Sequence, residues 1–379
     1  MQIPLYRHNL HGHDIEALGE EFKRLLSGMI LSTGSVAEEI QDLFAGYMGA
    51  NHCLLTNNWT NATIASLLTL GIGPGDEVIV PAMTFVASAN AVEAVGARPV
   101  LIDVDPHTKL MDIDKCLAAV TSKTKAVMPV HLYGQMVDVK ALRAALPRGI
   151  RIIEDAAHAI ESSFDGYKPG AYSDFACFSF YASKNMTTGE GGAMITNDRS
   201  LFEEYQTIYR HGIDLCGYRR HIVDKFIPAE AVTKGIKANM PDILAFLLRP
   251  QIIAADETRL KREKIALRYS AELKGLEIIG VDPKAVSAWH IYPVAVKPKD
   301  RPNVLAQLYD RGIKTTIHFK SLHMMEWYKE RYKHDAEAFP NAYRWGESVF
   351  SLPVFPTLTP NEQSYIIDAV NDIIAKGFD

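Results

Sequence analysis

The sequence predicts an α/β fold, with a large domain built on a mostly parallel sheet between helices and a small C-terminal α+β domain. Short apolar segments alternate with helical segments through the first two-thirds of the chain, which is typical of strands buried on both faces. Beyond about Pro250 a long charged helix interrupts this alternation. We therefore expect a large domain over residues 1–250, including an N-terminal arm, and a small domain over residues 251–379.

The individual elements follow from apolar periodicity and turn residues. Ser35 and Glu38 have the spacing of a helix capping box, and Gly49 can end that helix. We expect strands at residues 53–55, 78–80, 100–104, 126–130, 151–155, 174–180 and 193–196, with helices at 62–70, 84–95, 112–119 and 139–146. For the C-terminal part we expect helices at 254–273, 303–311 and 360–374, and strands at 289–296 and 315–319.

Composition excludes several classes of protein. Apolar residues make up 47% of the 379 residues and charged residues 22%, which is close to the globular average. The net charge of −5 disfavours a nucleic-acid binder. The four cysteines, at positions 53, 116, 177 and 216, form no CxxC pair, so we expect no metal or thiol redox site. No signal segment or membrane span is visible, so we expect a cytoplasmic protein with no membrane partner.

Lys184 lies at a strand-to-loop junction, and the loop that follows it contains three glycines and two threonines. A lone lysine is ordinarily a solvated surface charge. Here the neighbours are small or apolar, and the glycines allow a ligand to approach the backbone closely. A partly desolvated lysine has a lowered pKa and can form a Schiff base with a carbonyl group, as in enzymes that use pyridoxal 5′-phosphate (PLP).

Asp155 ends an apolar strand 29 residues before Lys184. PLP requires an acidic partner for its ring nitrogen, and a carboxylate at this position would supply it. The alternative is a helix N-cap after a strand, and both interpretations can hold at once. His158 would pack beside the ring or donate to its hydroxyl, or it is a structural histidine.

A phosphate site is predicted where Thr60 and Asn61 begin a helix, because backbone N–H groups and a hydroxyl at a helix N-terminus bind phosphate. A polar N-cap turn is an equally good interpretation of this segment taken alone. Phe85 opens another helix and either stacks on a ring or fills the core.

Together these motifs resemble the DegT–StrS family of PLP-dependent sugar aminotransferases, from about residue 4 to the C-terminus. The resemblance rests on the segments Gly73-Pro-Gly-Asp-Glu-Val-Ile79, Thr84-Phe-Val-Ala87, Glu154-Asp-Ala-Ala-His158, Ser179 to Asn185, Gly189-Glu-Gly-Gly192, Arg210-His-Gly212 and Ser351-Leu-Pro-Val-Phe-Pro356. It implies a fold-type I PLP enzyme that forms a homodimer with two active sites at the subunit interface.

The resemblance also implies roles for single residues. Lys184 forms the Schiff base with PLP and moves the proton, and Asp155 pairs with the ring nitrogen. Phe85 stacks on the ring, and His158 lies close to it. The phosphate ligands implied are Thr60, Asn61, Ser179 and, from the partner subunit, Asn239.

The segment from Ile317 to Arg331 is most similar, within this family, to the aminotransferase that forms UDP-aminoarabinose. In that group the segment lies near the sugar nucleotide, so His318, Lys320 and His323 are candidate substrate ligands. An ordinary strand-to-helix corner is the alternative for each of them.

Three positions depart from the family pattern. Trp59 replaces a small residue before the phosphate-binding Thr60, and Tyr181 replaces a common histidine. We count both among the candidate substrate-binding residues. Pro250 should kink the helix that contains it.

The leading prediction is a transaminase that moves an amino group from L-glutamate, giving 2-oxoglutarate, to a nucleotide-linked 4-keto-6-deoxyhexose for cell-surface polysaccharide or related glycan synthesis. Amination of a 3-keto or non-nucleotide keto-sugar, and a PLP sugar dehydratase, are the alternatives. The dehydratase subgroup has histidine where this chain has Lys184. A Rossmann oxidoreductase would need a GxGxxG loop that follows a strand and precedes a helix. The glycine-rich residues 71–75 instead follow an expected helix and precede an expected strand.

Overall fold

The computed structural model describes residues 1–8, 10, 15–28, 30–214 and 229–377. Cys216 lies outside these residues. The α-helices are α1 (Ile15–Leu26), α2 (Ser35–Met48), α3 (Trp59–Thr69), α4 (Ala87–Ala94), α5 (Ile113–Ala118), α6 (Val139–Ala145), α7 (Arg199–Ile208), α8 (Asp242–Ala245), α9 (Leu248–Ile253), α10 (Ala255–Glu272), α11 (Arg301–Asp310), α12 (Glu326–Tyr332), α13 (Pro340–Ser348) and α14 (Pro360–Lys376).

The strands are β1 (His52–Thr56), β2 (Glu77–Pro81), β3 (Arg98–Ile102), β4 (Thr124–Val127), β5 (Arg151–Asp155), β6 (Ser163–Phe164), β7 (Phe175–Ser179), β8 (Gly192–Thr196), β9 (Glu277–Ile278), β10 (Ala285–Val286), β11 (Tyr292–Ala295) and β12 (Val349–Leu352). Seven of them form one sheet in the order β1-β8-β7-β5-β4-β2-β3. The strands from β7 to β3 are parallel, whereas β8 is antiparallel to both of its neighbours. The predicted α/β class with a mostly parallel sheet is confirmed.

Most residues in the strands of the large sheet are buried, as their continuous apolar sequences predict. Strands β7 and β8 are buried at every residue. Gly192, the first residue of β8, is required by close packing, because a Cβ atom there would lie 2.7 Å from the carbonyl carbon of Asn58. This approach brings β8 against the N-terminus of α3, where ligands of such sheets bind.

A second, three-stranded sheet in the order β12-β11-β9 lies in the C-terminal part. Its core includes Tyr292, Phe350 and residues of α10, α11 and α14, and also Ile3 from the N-terminus. Ile3 forms a bridge with Ile313, so the first residues of the chain pack with the C-terminal part. The domain boundary near residue 250 stays a prediction.

Three local predictions were wrong. Helix α2 is capped by the backbone of Gly34, and Ser35 is already its first helical residue, so no capping box forms. Residues 315–319 are not a strand, because Thr316 makes an isolated bridge to Ser351. Pro250 does not kink a long helix; it lies in the first turn of α9, where its missing N–H is not needed.

One other expectation, at a helix terminus, agrees with the structure. Gly49 ends α2 in a left-handed conformation, with φ of 69°, as the sequence predicts. Among the described residues, none of the helices is long and apolar enough to cross a membrane.

Candidate active site

A cavity of about 400 Å³ lies where strands β5 and β7 end and helix α3 begins. Nine of the predicted site residues line it, namely Trp59, Thr60, Phe85, Asp155, His158, Ser179, Tyr181, Lys184 and His318. These residues come from five separate segments of the chain. The fold therefore brings together most of the residues that the sequence indicated.

Lys184 lies in the loop after β7, where its backbone N–H donates to the carbonyl of Tyr181 at 2.9 Å. Burial lowers the pKa of its side chain from 10.5 to about 8, and the negative charge of Asp155 acts in the opposite direction. An enclosed amine with a pKa near neutrality suits a nucleophile or a proton carrier.

Asp155 is the last residue of β5, and its carboxylate is buried. One oxygen accepts a hydrogen bond from Ser88 Oγ at 2.7 Å, and the other accepts one from the backbone N–H of Ala157 at 3.2 Å. Burial raises the pKa of this carboxyl, although Ser88 and the charge of Lys184 favour its ionised form. A buried carboxylate of this kind favours a cationic partner, such as a protonated ring nitrogen. Residues 156–162 form turns rather than a helix, so the N-cap alternative does not apply.

The N-terminus of α3 has the donors of an anion site. The side-chain oxygen of Asn58 caps the helix and accepts the N–H of Asn61 at 2.8 Å. The N–H groups of Trp59 and Thr60 have no hydrogen-bond partner among the described residues. Ser179 Oγ accepts a backbone N–H at 3.3 Å and so keeps its proton for another acceptor. These groups match what a phosphate needs at a helix N-terminus.

The aromatic residues of the cavity differ in exposure. Phe85 is 53% exposed and Tyr181 is 47% exposed, so both rings have a free face. Trp59 is only 6% exposed and belongs to the main hydrophobic core. Phe85 is therefore available for stacking on a ligand ring, whereas most of the Trp59 indole packs against protein.

Three histidines surround the lysine side of the cavity. His158 and His290 have ring centroids 4.5 Å apart, and His318 Nδ1 lies 2.9 Å from Ser351 Oγ. Burial and the charge of Lys184 lower the pKa of all three, that of His318 to about 4. They are therefore neutral at physiological pH and can act as hydrogen-bond donors or acceptors.

Four predicted site residues do not line this cavity. Asn61 Nδ2 donates to Asn57 Oδ1 at 3.0 Å, and Lys320 is exposed. Asn239 Nδ2 donates to Ser32 Oγ at 3.0 Å, beside a different cavity at helix α2. His323 is fully buried, with its ring centroid 4.9 Å from that of Phe339. The ring packs against Phe339 and does not line this cavity, and a role for His323 in substrate binding stays a prediction.

Sequence reasoning missed two side chains that the cavity uses. Ser88 hydrogen-bonds to Asp155. Its position four residues after Thr84 could have indicated it, because the two hydroxyl groups lie 2.8 Å apart on one side of the chain. His290 stands just before β11, and its aromatic neighbours Trp289 and Tyr292 made it look like an ordinary strand residue.

A second cavity adjoins the first on the other side of Lys184. Six residues line both cavities, namely Tyr181, Ser183, Lys184, His290, Ile291 and His318. The N-terminal segment from Leu5 to His8 forms part of its wall. Lys184 therefore stands between two compartments.

Comparison with known proteins decides the family. A model described as the DegT/DnrJ/EryC1/StrS aminotransferase family matches residues 13–371. The chain belongs to this aminotransferase family. The aminotransferase is also 36% identical, over 373 residues, to the spore coat polysaccharide biosynthesis protein SpsC of Bacillus subtilis, and the match covers 96% of this chain and 95% of SpsC.

Solved structures agree with the family. The PLP form of Spr1654 from Streptococcus pneumoniae, described as a predicted sugar aminotransferase, has a TM-score of 0.90 and 29% identity over the full length of both chains. DesV of S. venezuelae, solved in complex with a ketimine intermediate, has a TM-score of 0.89 and 31% identity over 99% of this chain and 100% of that one. Spr1654 is also known in a PMP form. The aminotransferase is therefore a PLP-dependent sugar aminotransferase of fold-type I.

The residues of the cavity fit PLP. The uncommitted N–H groups at the start of α3 suit its phosphate, and the buried Asp155 carboxylate suits a protonated ring nitrogen. Lys184, whose pKa burial lowers to about 8, suits an aldehyde. The free face of Phe85 suits the ring.

Proposed function

We propose that this enzyme transfers the amino group of L-glutamate to the carbonyl of a nucleotide-linked keto-sugar, a 4-keto-6-deoxyhexose. The observation that carries the proposal is the arrangement of Lys184 and Asp155 on one cavity, with a phosphate-type anion site at its end. The similarity to SpsC, named for polysaccharide biosynthesis, supports a sugar as the amino acceptor.

When bound, PLP supplies the electron-withdrawing ring that makes removal of the amino acid's α-proton feasible. In this proposal Lys184 would hold the cofactor through Nζ and, as a free amine, would accept the α-proton of the amino acid at Nζ. Because burial brings its pKa to about 8, Nζ can both accept and return a proton near neutral pH. In the second half of the reaction the same atom delivers a proton to the carbon that receives the amino group.

Asp155 would keep the ring nitrogen protonated through charge pairing, while Ser88 and the Ala157 N–H hold its carboxylate in place. The N–H groups of Trp59 and Thr60 and the hydroxyl of Ser179 would bind the phosphate. His158 would donate to the ring hydroxyl, and Phe85 would stack on the ring.

The two adjoining cavities support a substrate larger than an amino acid. Together they extend from the start of α3 to the N-terminal segment at Leu5–His8, and Lys184 stands between them. His318 and Tyr181 line both and are the proposed contacts of the sugar nucleotide. We also propose a cytoplasmic homodimer in which Asn239 reaches the partner's phosphate through Nδ2, which carries two protons and donates one of them to Ser32 Oγ.

The test is incubation of the PLP-loaded enzyme with L-glutamate and a panel of nucleotide-linked 4-keto, nucleotide-linked 3-keto and free keto-sugars, with products identified by mass spectrometry. We expect amination of the nucleotide-linked 4-keto-sugars and release of 2-oxoglutarate. Lys184→Ala should abolish both, whereas Lys125→Ala, at an exposed lysine of β4, should not. An enzyme that consumes glutamate but aminates none of these sugars would contradict the proposal.

A further inference from the structure

Two neutral imidazoles, those of His158 and His290, face the cavity beside Lys184 with their ring centroids 4.5 Å apart. A neutral imidazole carries its proton on either Nδ1 or Nε2, and the hydrogen bond made by one nitrogen decides the state of the other. The hydrogen bonds of both rings are defined in the structure.

His158 has its proton on Nε2. Its Nδ1 accepts a hydrogen bond from the backbone N–H of Tyr133 at 3.2 Å. Because a backbone N–H can only donate, Nδ1 must be the unprotonated nitrogen. His158 therefore presents an N–H donor from its other edge.

His290 has the opposite arrangement. Its Nδ1 lies 3.0 Å from Asn185 Oδ1. The amide of Asn185 is oriented by its own partners, because its Nδ2 donates both to Glu161 Oε2 at 3.0 Å and to the carbonyl of Ala288 at 3.2 Å. Both of those partners are acceptors, so the oxygen of the amide faces His290, and His290 Nδ1 must donate.

The lone pair of His290 is consequently on Nε2. No described residue makes a hydrogen bond to that atom, and the ring is partly exposed and lines both cavities. The orientation is held firmly, because Glu161 also binds the buried guanidinium of Arg262. When a ligand fills the cavity it displaces the water that solvates this acceptor, and the ligand must then supply a donor in its place.

We infer that His158 and His290 form a pair of opposite tautomers, and that His290 Nε2 is a substrate-binding acceptor for a hydroxyl group of the sugar. This identification of the ligand group rests on the proposed function. Sugar hydroxyls are donors, whereas the carboxylates of glutamate are acceptors only and would be disfavoured against a lone pair. The amino group of glutamate is its one donor, and the reaction itself engages that group. His290 therefore contributes to binding of the sugar and not of the amino donor.

The first test is ¹⁵N NMR of the PLP-loaded enzyme labelled at histidine, because protonated and unprotonated ring nitrogens have well-separated shifts. His158→Gln and His290→Gln assign the signals. We expect an Nε2–H tautomer for His158 and an Nδ1–H tautomer for His290. The same tautomer for both rings, or a protonated ring, would overturn the inference.

The second test separates the two half-reactions by stopped-flow absorbance. His290→Phe keeps a flat ring but removes the acceptor, and loss of one hydrogen bond should raise the sugar KM about tenfold. The glutamate half-reaction should stay within about twofold, well below the ~1.4 kcal/mol that a tenfold change represents. His52→Phe, at a ring that stacks on Phe202 away from the cavity, is the matched control and should change neither.

An equal loss in both half-reactions would indicate a general structural role and contradict the inference, as would an unchanged sugar KM. If the unmodified enzyme aminates no sugar, the proposed function fails and the hydroxyl assigned to His290 fails with it. The NMR spectrum still decides the tautomers in that case, so the two failures are distinguishable.

Discussion

Lys184 should react as a free amine at a much lower pH than an ordinary lysine. Burial lowers the pKa of its side chain from 10.5 to about 8, which corresponds to ~3 kcal/mol in favour of the neutral amine at 1.36 kcal/mol per pKa unit. At neutral pH the reactive fraction of Lys184 should then exceed that of an unperturbed lysine by roughly a few hundredfold. Because a lysine reacts when it is neutral, its reactivity must rise as the pH passes through its pKa.

The assay is brief labelling of the cofactor-free enzyme with an amine-reactive reagent at pH values from about 6 to about 11, a range that spans both the perturbed and the ordinary lysine pKa. Peptide mass spectrometry then measures the labelled fraction of Lys184, and the exposed lysines of the same digest provide the internal reference. We expect a midpoint near pH 8. A midpoint that coincides with the exposed lysines would refute the argument that the cavity desolvates this amine.

Replacement of Asp155 by asparagine extends the same experiment. The charge of Asp155 raises the pKa of Lys184, so Asp155→Asn should move the labelling midpoint further down. The variant should also bind PLP more weakly, because the ring nitrogen loses its anionic partner. An upward movement of the midpoint would show that the two groups are not coupled as the structure indicates.

Three other substitutions test the supports of the cavity. Ser88→Ala removes the 2.7 Å hydrogen bond to Asp155 and should raise the Kd for PLP about tenfold, measured by absorbance titration; an unchanged Kd would exclude this role. Gly192→Ala should destabilise the fold by roughly 1–3 kcal/mol, because its Cβ would clash with backbone atoms. Gly46→Ala is the control and should not destabilise the fold, because a Cβ there would meet no atom within 4 Å; equal melting temperatures for the two variants would contradict this. Arg262→Met leaves a buried carboxylate without its partner and should cost about 3–5 kcal/mol in urea unfolding, and a loss below ~1 kcal/mol would mean that the pair is not buried.

The fold could be predicted from the sequence where burial alone sets the pattern. The strands of the large sheet are continuously apolar because both faces are covered, and β5, β7 and β8 lie within a residue or two of their expected ends. The expected strand at 315–319 failed because an apolar, β-branched run does not pair unless a neighbouring strand is in register. Thr316 meets Ser351 at one point only. The capping box failed because Gly34 already begins the turn.

The candidate site was predictable where a motif sits at the end of a strand. Asp155 and Lys184 could be placed in this way, because carboxyl ends of parallel strands share one edge. The position of His323 outside the cavity could not be predicted from the sequence, since its burial depends on packing against Phe339 from the C-terminal part. His290 was missed for the converse reason: its role depends on a hydrogen bond to Asn185, 105 residues away.

The central proposal is that the amino group of glutamate passes to a sugar and that Lys184 moves the proton in each half of the reaction. The most direct measurement uses [¹⁵N]glutamate and the nucleotide-linked 4-keto-sugar, with mass spectrometry of the purified sugar product. We predict that the product carries the ¹⁵N label in its new amino group and that Lys184→Ala forms none. An unlabelled amino sugar, or labelled product from the Lys184→Ala enzyme, would contradict the account.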